Sequence, residues 1–298
     1  MMGSIIIPAH NEEAVIARTL DSLMGSMRQG LFEVIVACNG CTDATAEVAR
    51  RWSPDVQVIE LPTASKVAAL GAADEIARTF PRLYVDADVI LPSGSAEVVL
   101  RVLASDTVLA ARPPLRYDTT LCSSSVRRYF AARQLVPELF DRLWGAGVYG
   151  LSEKGRSRFQ SWPDLIADDL FVDSLFSDTE IAIVQADPVT VLAPRSPAAL
   201  RALLRRGARA KRRQARIPDA EKTTDSELVQ RQTVASTLRG LVAAVRSRPT
   251  RAVDVLIYAG YACWGRLPRL PRRADGGWER DDSSRALSVD AVAPNRSV

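Results

Sequence analysis

From Ser4 to Asp88 the chain alternates short, wholly apolar runs with longer segments in which apolar residues recur every three or four positions. The short runs read as buried strands and the longer period as helices. Strands are thus expected at Ser4–Ala9, Glu33–Ala37, Val56–Leu61 and Arg82–Asp88. A helix is expected over Glu12–Met27, where Val15, Ile16, Leu20, Leu23, Met24 and Met27 share one face. Two more are expected over Thr42–Trp52, capped by Thr42 or Asp43, and over Lys66–Phe80. This βαβαβαβ order predicts an α/β fold: a mostly parallel, Rossmann-like sheet with helices on both faces. Ligands of such sheets bind beyond the carboxyl ends of the strands. Pro8–Glu12, Cys38–Asp43 and Asp86–Asp88 all fall there.

Beyond Val108 the period becomes irregular. A strand is expected at Val108–Pro114, a helix at Ser123–Leu143, a Gly-rich turn and strand at Trp144–Ser152, and a strand pair or bend at Ile181–Ala193. Ser196 before Pro197 is a strong helix start, and Thr224–Glu227 has the form of a capping box. Residues 272–298 lack period and core, and are expected to be disordered. The expected division is one domain over 1–216, with a first half at 1–92 and a second half at 93–216. A helical extension at 217–271 and the tail follow.

Composition narrows the class. With 298 residues and 47% hydrophobic content, the chain can bury a sizeable core and is neither fibrous nor disordered overall. Four scattered cysteines make no secreted disulfide framework, no leader-like segment opens the chain, and no run approaches the roughly 18 apolar residues of a membrane span. A cytoplasmic protein, soluble or peripheral to a membrane, is the expectation. Net charge is +4, yet residues 201–216 hold eight basic residues and no acid. That asymmetry points to an anionic partner. The segment lacks the interleaved aromatics that stack bases, so nucleic acid is not expected. Val253–Gly265 is apolar but too short to cross a bilayer; with Arg251, Arg266, Arg269, Arg272 and Arg273 beside it, it would either lie in a membrane interface or pack on the preceding domain.

Two acidic pairs are candidates for chemistry. Residues i and i+2 of an extended chain share a face, so Asp86 and Asp88 would converge, at a cost unless a cation or donor compensates. Asp168 and Asp169 precede an apolar helical run, where a carboxylate can serve as a general base.

The ordered stretches "SIIIPAHNEE", "ACNGCTDATAEVAR", "SKVAALGAA", "LYVDADVILP", "GAGVYGLS" and "ADDLFVDSLF" resemble the nucleotide-sugar glycosyltransferases of family 2, which have the GT-A fold. The resemblance spans roughly Ser4 to Arg216. It implies inverting transfer from a UDP-, GDP- or dTDP-sugar to a hydroxyl acceptor, lipid-linked or saccharide among the candidates. It also implies a divalent metal, Mg²⁺ or Mn²⁺, at a DxD motif with Asp88 on the metal and Asp86 on sugar or metal. By the same resemblance Pro8, Ala9, Asn11, Glu12, Asn39 and Lys66 contact the donor, and Gly147, Val148 and Tyr149 line the acceptor side. Asp169 is the base and Asp168 its orienting neighbour. Arg206 and Arg209 either close over the diphosphate or meet lipid. Asn39 stands where the family has a base-reading carboxylate, and Cys38-x-x-Cys41 replaces acids or serine. Rival readings are a nucleotidyltransferase, which lacks its Gly-rich basic loop here, a redox or metal-binding cysteine pair, and a non-catalytic nucleotide or nucleic-acid binder.

Overall fold

The computed structural model describes residues 2–136, 139–164, 167–214 and 234–267. The capping pattern at 224–227, residues 217–233 and the tail at 272–298 lie outside the described residues.

The expected alternation is present: β1 (Gly3–Ala9), α1 (Ile16–Arg28), β2 (Phe32–Asn39), α2 (Thr45–Trp52), β3 (Val56–Leu61), α3 (Lys66–Ile76) and β4 (Arg82–Val85). After α4 (Ser95–Ala104) come β5 (Ala110–Arg112), β6 (Leu115–Asp118), α5 (Ser124–Arg133), β7 (Val148–Leu151), α6 (Glu153–Arg156) and α7 (Asp168–Asp173). The chain continues through β8 (Ile181–Ile183), β9 (Val189–Leu192), α8 (Pro197–Gln214), α9 (Val234–Ser247) and α10 (Ala252–Arg266).

Among the described residues, seven strands form one sheet in the order β3-β2-β1-β4-β7-β5-β8, and β6 pairs with β9 in a separate ribbon. Strands β1 to β4 are mutually parallel where they pair, while β7 runs antiparallel to both neighbours. Alternate residues feed two cores: Ile5, Ile7, Val34 and Val36 face one, Ile6, Ile35 and Tyr84 the other. Both faces are therefore dry, which is why the strands read as continuous apolar runs.

Two expectations change. Helix α1 starts at Ile16 rather than Glu12, because the preceding residues are bonded to the next loop: Glu12 N–H donates to Thr45 Oγ1 at 2.7 Å and Glu13 N–H to Asp43 Oδ2 at 3.3 Å. Asp43 also accepts from Thr45 N–H at 3.1 Å, just ahead of α2. The helix expected over Ser123–Leu143 stops at Arg133. Buried Arg112 donates to the carbonyls of Pro113, Phe140 and Arg142, which removes the last two from any helical ladder. Burial lowers this guanidinium to about 10.

The C-terminal helices are not a separate body. Helix α10 packs on α5 and α8. A Cβ on Gly265 would stand only 2.9 Å from Leu204 Cβ, so the α8–α10 contact is close.

Candidate active site

Strand β4 ends at Val85, and Asp86–Val89 turn instead of continuing, closed by Val89 N–H donating to Asp86 O at 3.0 Å. The extended i, i+2 geometry expected for Asp86 and Asp88 is therefore replaced by a turn. Both still line one cleft of about 760 Å³, together with Gly145, Gly147 and Asp169. Gly147 is needed there: its φ is +66°, and a Cβ would lie 2.6 Å from Val89 Cγ2 and 3.3 Å from Asp86 Oδ2.

Lys66, at the start of α3, holds the acids together. Its Nζ is 2.6 Å from Asp86 Oδ1 and 2.7 Å from Asp168 Oδ1. Ser65 caps this helix by accepting from Ala68 N–H at 3.3 Å. Asp168 is 4% exposed and also accepts from Tyr149 Oη at 2.7 Å. Burial alone would raise this carboxyl, but Lys66 and Tyr149 hold it below its ordinary value. Asp86 moves the other way: burial, with Asp168 and Asp88 nearby, raises it against the pull of Lys66.

Asp169 is placed differently. Gly145 N–H reaches its Oδ2 at 3.0 Å and Leu170 N–H its Oδ1 at 2.8 Å, while the carboxylate lines the cleft. Burial and the adjacent Asp168 charge raise it above the usual aspartate range, against those two N–H groups. One acid is ionised, ion-paired and locked, and its neighbour holds a proton more readily and lines the cleft. Asp173 accepts from Leu143 N–H at 2.8 Å and is raised to about 6 by burial.

The loops after β1 and β2 form one unit. Asn11, at φ +52°, accepts from Thr42 N–H at 2.7 Å, so its carbonyl is engaged by the neighbouring loop. Asn39 Nδ2 donates to Ala9 O at 2.9 Å, and His10 Nδ1 lies 2.5 Å from Asn39 O. These contacts leave Asn39 Oδ1 buried without a hydrogen-bond partner. Cys41 accepts from Asn11 N–H at 3.4 Å. Burial and then Cys41 push the Cys38 thiol up to about 12, so it is held as a thiol.

Some expected site residues lie elsewhere. Pro8 and Ala9 are buried at the end of β1, where Ala9 offers a backbone carbonyl. The side chains of Val148 and Tyr149 are buried and are not among the residues lining the cleft. Both belong to β7 inside the central sheet, and Tyr149 stacks on Tyr84 at 5.2 Å. Arg206 and Arg209 are on α8 and are not among the residues lining the cleft. The same helix does brace the acidic one, since Gln214 Nε2 donates to Leu170 O at 2.9 Å. The sequence reading missed Arg18, Arg116 and Asp187, which all line the cleft. No motif marks them; α1 and the β6–β9 ribbon bring them in, with Arg116 Nε donating to Thr190 Oγ1 at 3.0 Å.

The donor set suits a hard cation shared with substrate. Among the described residues no three His, Cys, Asp or Glu side chains gather as a metal group, which disfavours a closed cysteine site. Two cleft carboxylates are what Mg²⁺ or Mn²⁺ needs when phosphate oxygens complete its shell. Asp88 and the Asp86 oxygen not bonded to Lys66 would hold it.

This sheet order with acids beyond β4 and at the start of α7 defines a GT-A glycosyltransferase fold. Residues 4–147 match the family model described as Glycosyl transferase family 2. No curated protein sequence matches the chain. Among solved structures, it is similar to the mannosyltransferase PcManGT from Pyrobaculum calidifontis in complex with GDP-Man and Mn²⁺, with a TM-score of 0.59 and 19% identity over 88% of this chain and 82% of that one. It is also similar to glucosyl-3-phosphoglycerate synthase from Mycobacterium tuberculosis in complex with Mn²⁺ and UDP-glucose, with a TM-score of 0.51 and 22% identity over 73% and 80%. At these identities the likeness is one of fold.

Proposed function

We propose that the protein transfers a sugar from a nucleoside diphosphate to an acceptor hydroxyl with inversion, using Asp169 as general base. The observation that carries this is the division of labour between adjacent acids: Lys66 and Tyr149 occupy Asp168, while Asp169 lines the cleft shared with Asp86 and Asp88. Asp169 takes the proton of the acceptor oxygen as that oxygen attacks the anomeric carbon. The diphosphate leaves from the opposite face with the bonding pair, which gives inversion. A divalent cation, when bound, offsets the charge that develops on the leaving diphosphate. Asp86 and Asp88 orient that end of the donor, and Gly145 N–H fixes the Asp169 carboxylate. Solved structures of this fold that carry GDP-Man or UDP-glucose with Mn²⁺ support the donor class.

Asn39 bears on the base. Its amide nitrogen is committed to Ala9 O, and its buried Oδ1 is an acceptor with no hydrogen-bond partner. Such an orphan costs about 1–3 kcal/mol, recovered when a donor arrives. A ring N–H of uracil, thymine or guanine supplies that donor; cytosine and adenine offer only an exocyclic amine.

Thermal shift with UDP-, GDP-, dTDP-, CDP- and ADP-sugars tests the reading. A competent donor at about 100 times its Kd stabilises the native state by about 2.7 kcal/mol. The expected responders are UDP-, GDP- or dTDP-sugars, with a larger shift when Mn²⁺ is added. Asp88→Ala should remove that extra shift while the fold stays intact. Equal affinity in wild type and variant with Mn²⁺ present would reject Asp88 as the metal ligand.

A further inference from the structure

Helix α10 presents an unusual outer face. Along it the exposed positions are Val253, Leu256, Ala259, Gly260, Cys263, Trp264 and, just past its end, Leu267, with Arg266 the one exposed charge. Residues spaced by three and four share a helical face, so these form one continuous stripe. Leu256 is 71% exposed, Leu267 57% and Val253 51%. The helix buries its polar side instead. Its single acid, Asp254, is 5% exposed and is paired with Arg128 at 3.0 Å and Arg251 at 3.1 Å. Isolated surface leucines need no explanation, but an apolar stripe rimmed by charge marks an interaction surface.

The rim is basic. Arg201 lies 4.6 Å over the Trp264 ring and donates to Trp264 O at 3.3 Å. Arg205 donates to Leu267 O at 2.9 Å, and Arg251 and Arg266 flank the ends of the helix. Helix α8, which carries Arg201 and Arg205, contains no acid from Pro197 to Gln214. No helix among the described residues is long and apolar enough to cross a membrane.

From this apolar stripe with its arginine rim we infer that α10 lies on an anionic lipid bilayer. Val253, Leu256, Trp264 and Leu267 enter the acyl boundary while Arg201, Arg205, Arg251 and Arg266 meet the headgroups. Short apolar helices flanked by basic residues bind in the plane of the interface in this way. A second copy of the chain is a poorer occupant, because a two-fold contact sets each patch against itself and would oppose arginine to arginine.

Co-sedimentation of the full chain with vesicles of phosphatidylcholine, with and without phosphatidylglycerol, tests this. Binding is expected only to the mixed vesicles and should weaken as salt rises. Leu256→Glu, at a position too exposed to affect folding, should weaken binding by more than about tenfold, since it removes an inserted leucine and adds a charge of the wrong sign. Arg201→Ala and Arg205→Ala should each weaken it about fivefold. Absence of binding to mixed vesicles, or binding unchanged by Leu256→Glu, overturns the inference. So does a dimer in light scattering that Leu256→Glu dissolves, which would assign the face to a second copy.

Discussion

Asp74→Ala is expected to lower the stability of the protein by about 3–5 kcal/mol without altering its sheet order, the cost of removing one partner from a buried ion pair. Asp74 sits on α3 and gathers four donors: Arg82 Nη1 and Tyr84 Oη on Oδ1, and Arg156 Nε and Trp162 Nε1 on Oδ2, each at 2.8 Å. The two arginine side chains are only 10% and 14% exposed. Alanine would leave both cations buried without a counter-charge and two further N–H or O–H groups without an acceptor. Asp74→Asn keeps an acceptor and the shape but loses the charge, so its loss should be smaller. Urea unfolding distinguishes the outcomes, with the midpoint falling and the slope unchanged. A midpoint for Asp74→Ala within experimental scatter of wild type would show that water replaces the lost carboxylate. The consequence for the site is direct, because the same helix carries Lys66 and the same network fixes Tyr84 beneath Tyr149.

This network shows where the sequence stops being legible. Strands β1 to β4 could be read because both faces of the sheet are buried, and the acids at 86, 88, 168 and 169 could be placed because strand ends and helix starts are local features. The cation that compensates Asp86 and Asp168 could not be assigned locally, since Lys66 is 20 residues from Asp86 in sequence. Nor could the burial of Tyr149, which follows from β7 inserting antiparallel between β4 and β5. A signal for the early end of α5 was present. Pro137 has no N–H to donate and disfavours helix at the residue before it. The carbonyls that Arg112 claims were not visible, because that contact spans about thirty residues. Arg18 and Arg116 belong to the same class: a lone arginine in a strand or helix carries no sign of the cleft it will face.

Asp169→Asn should reduce kcat by about 10²–10⁴-fold, the usual loss on removing a general base, with donor and metal binding retained. Asparagine keeps the shape and can still accept from Gly145 N–H, though its NH2 then faces Leu170 N–H and that bond is lost; it cannot take the proton of the acceptor hydroxyl. Asp168→Asn should act by another route. Asp168 is bonded to Lys66 and Tyr149, so the variant should disturb the placement of Asp169 and should be milder in kcat. The pH profile separates the two. Asp169 works as a carboxylate, and burial next to Asp168 raises the pH at which it loses its proton. In wild type kcat should therefore climb with rising pH through a value above the ordinary aspartate pKa of about 3.9, and the acid limb should vanish in Asp169→Asn. In Asp168→Asn the limb should persist and move to lower pH, because a negative neighbour that held Asp169 protonated is gone. If Asp169→Asn instead retains near-wild-type kcat with its acid limb while Asp168→Asn is inactive, the base is Asp168, and Lys66 must release it during the reaction.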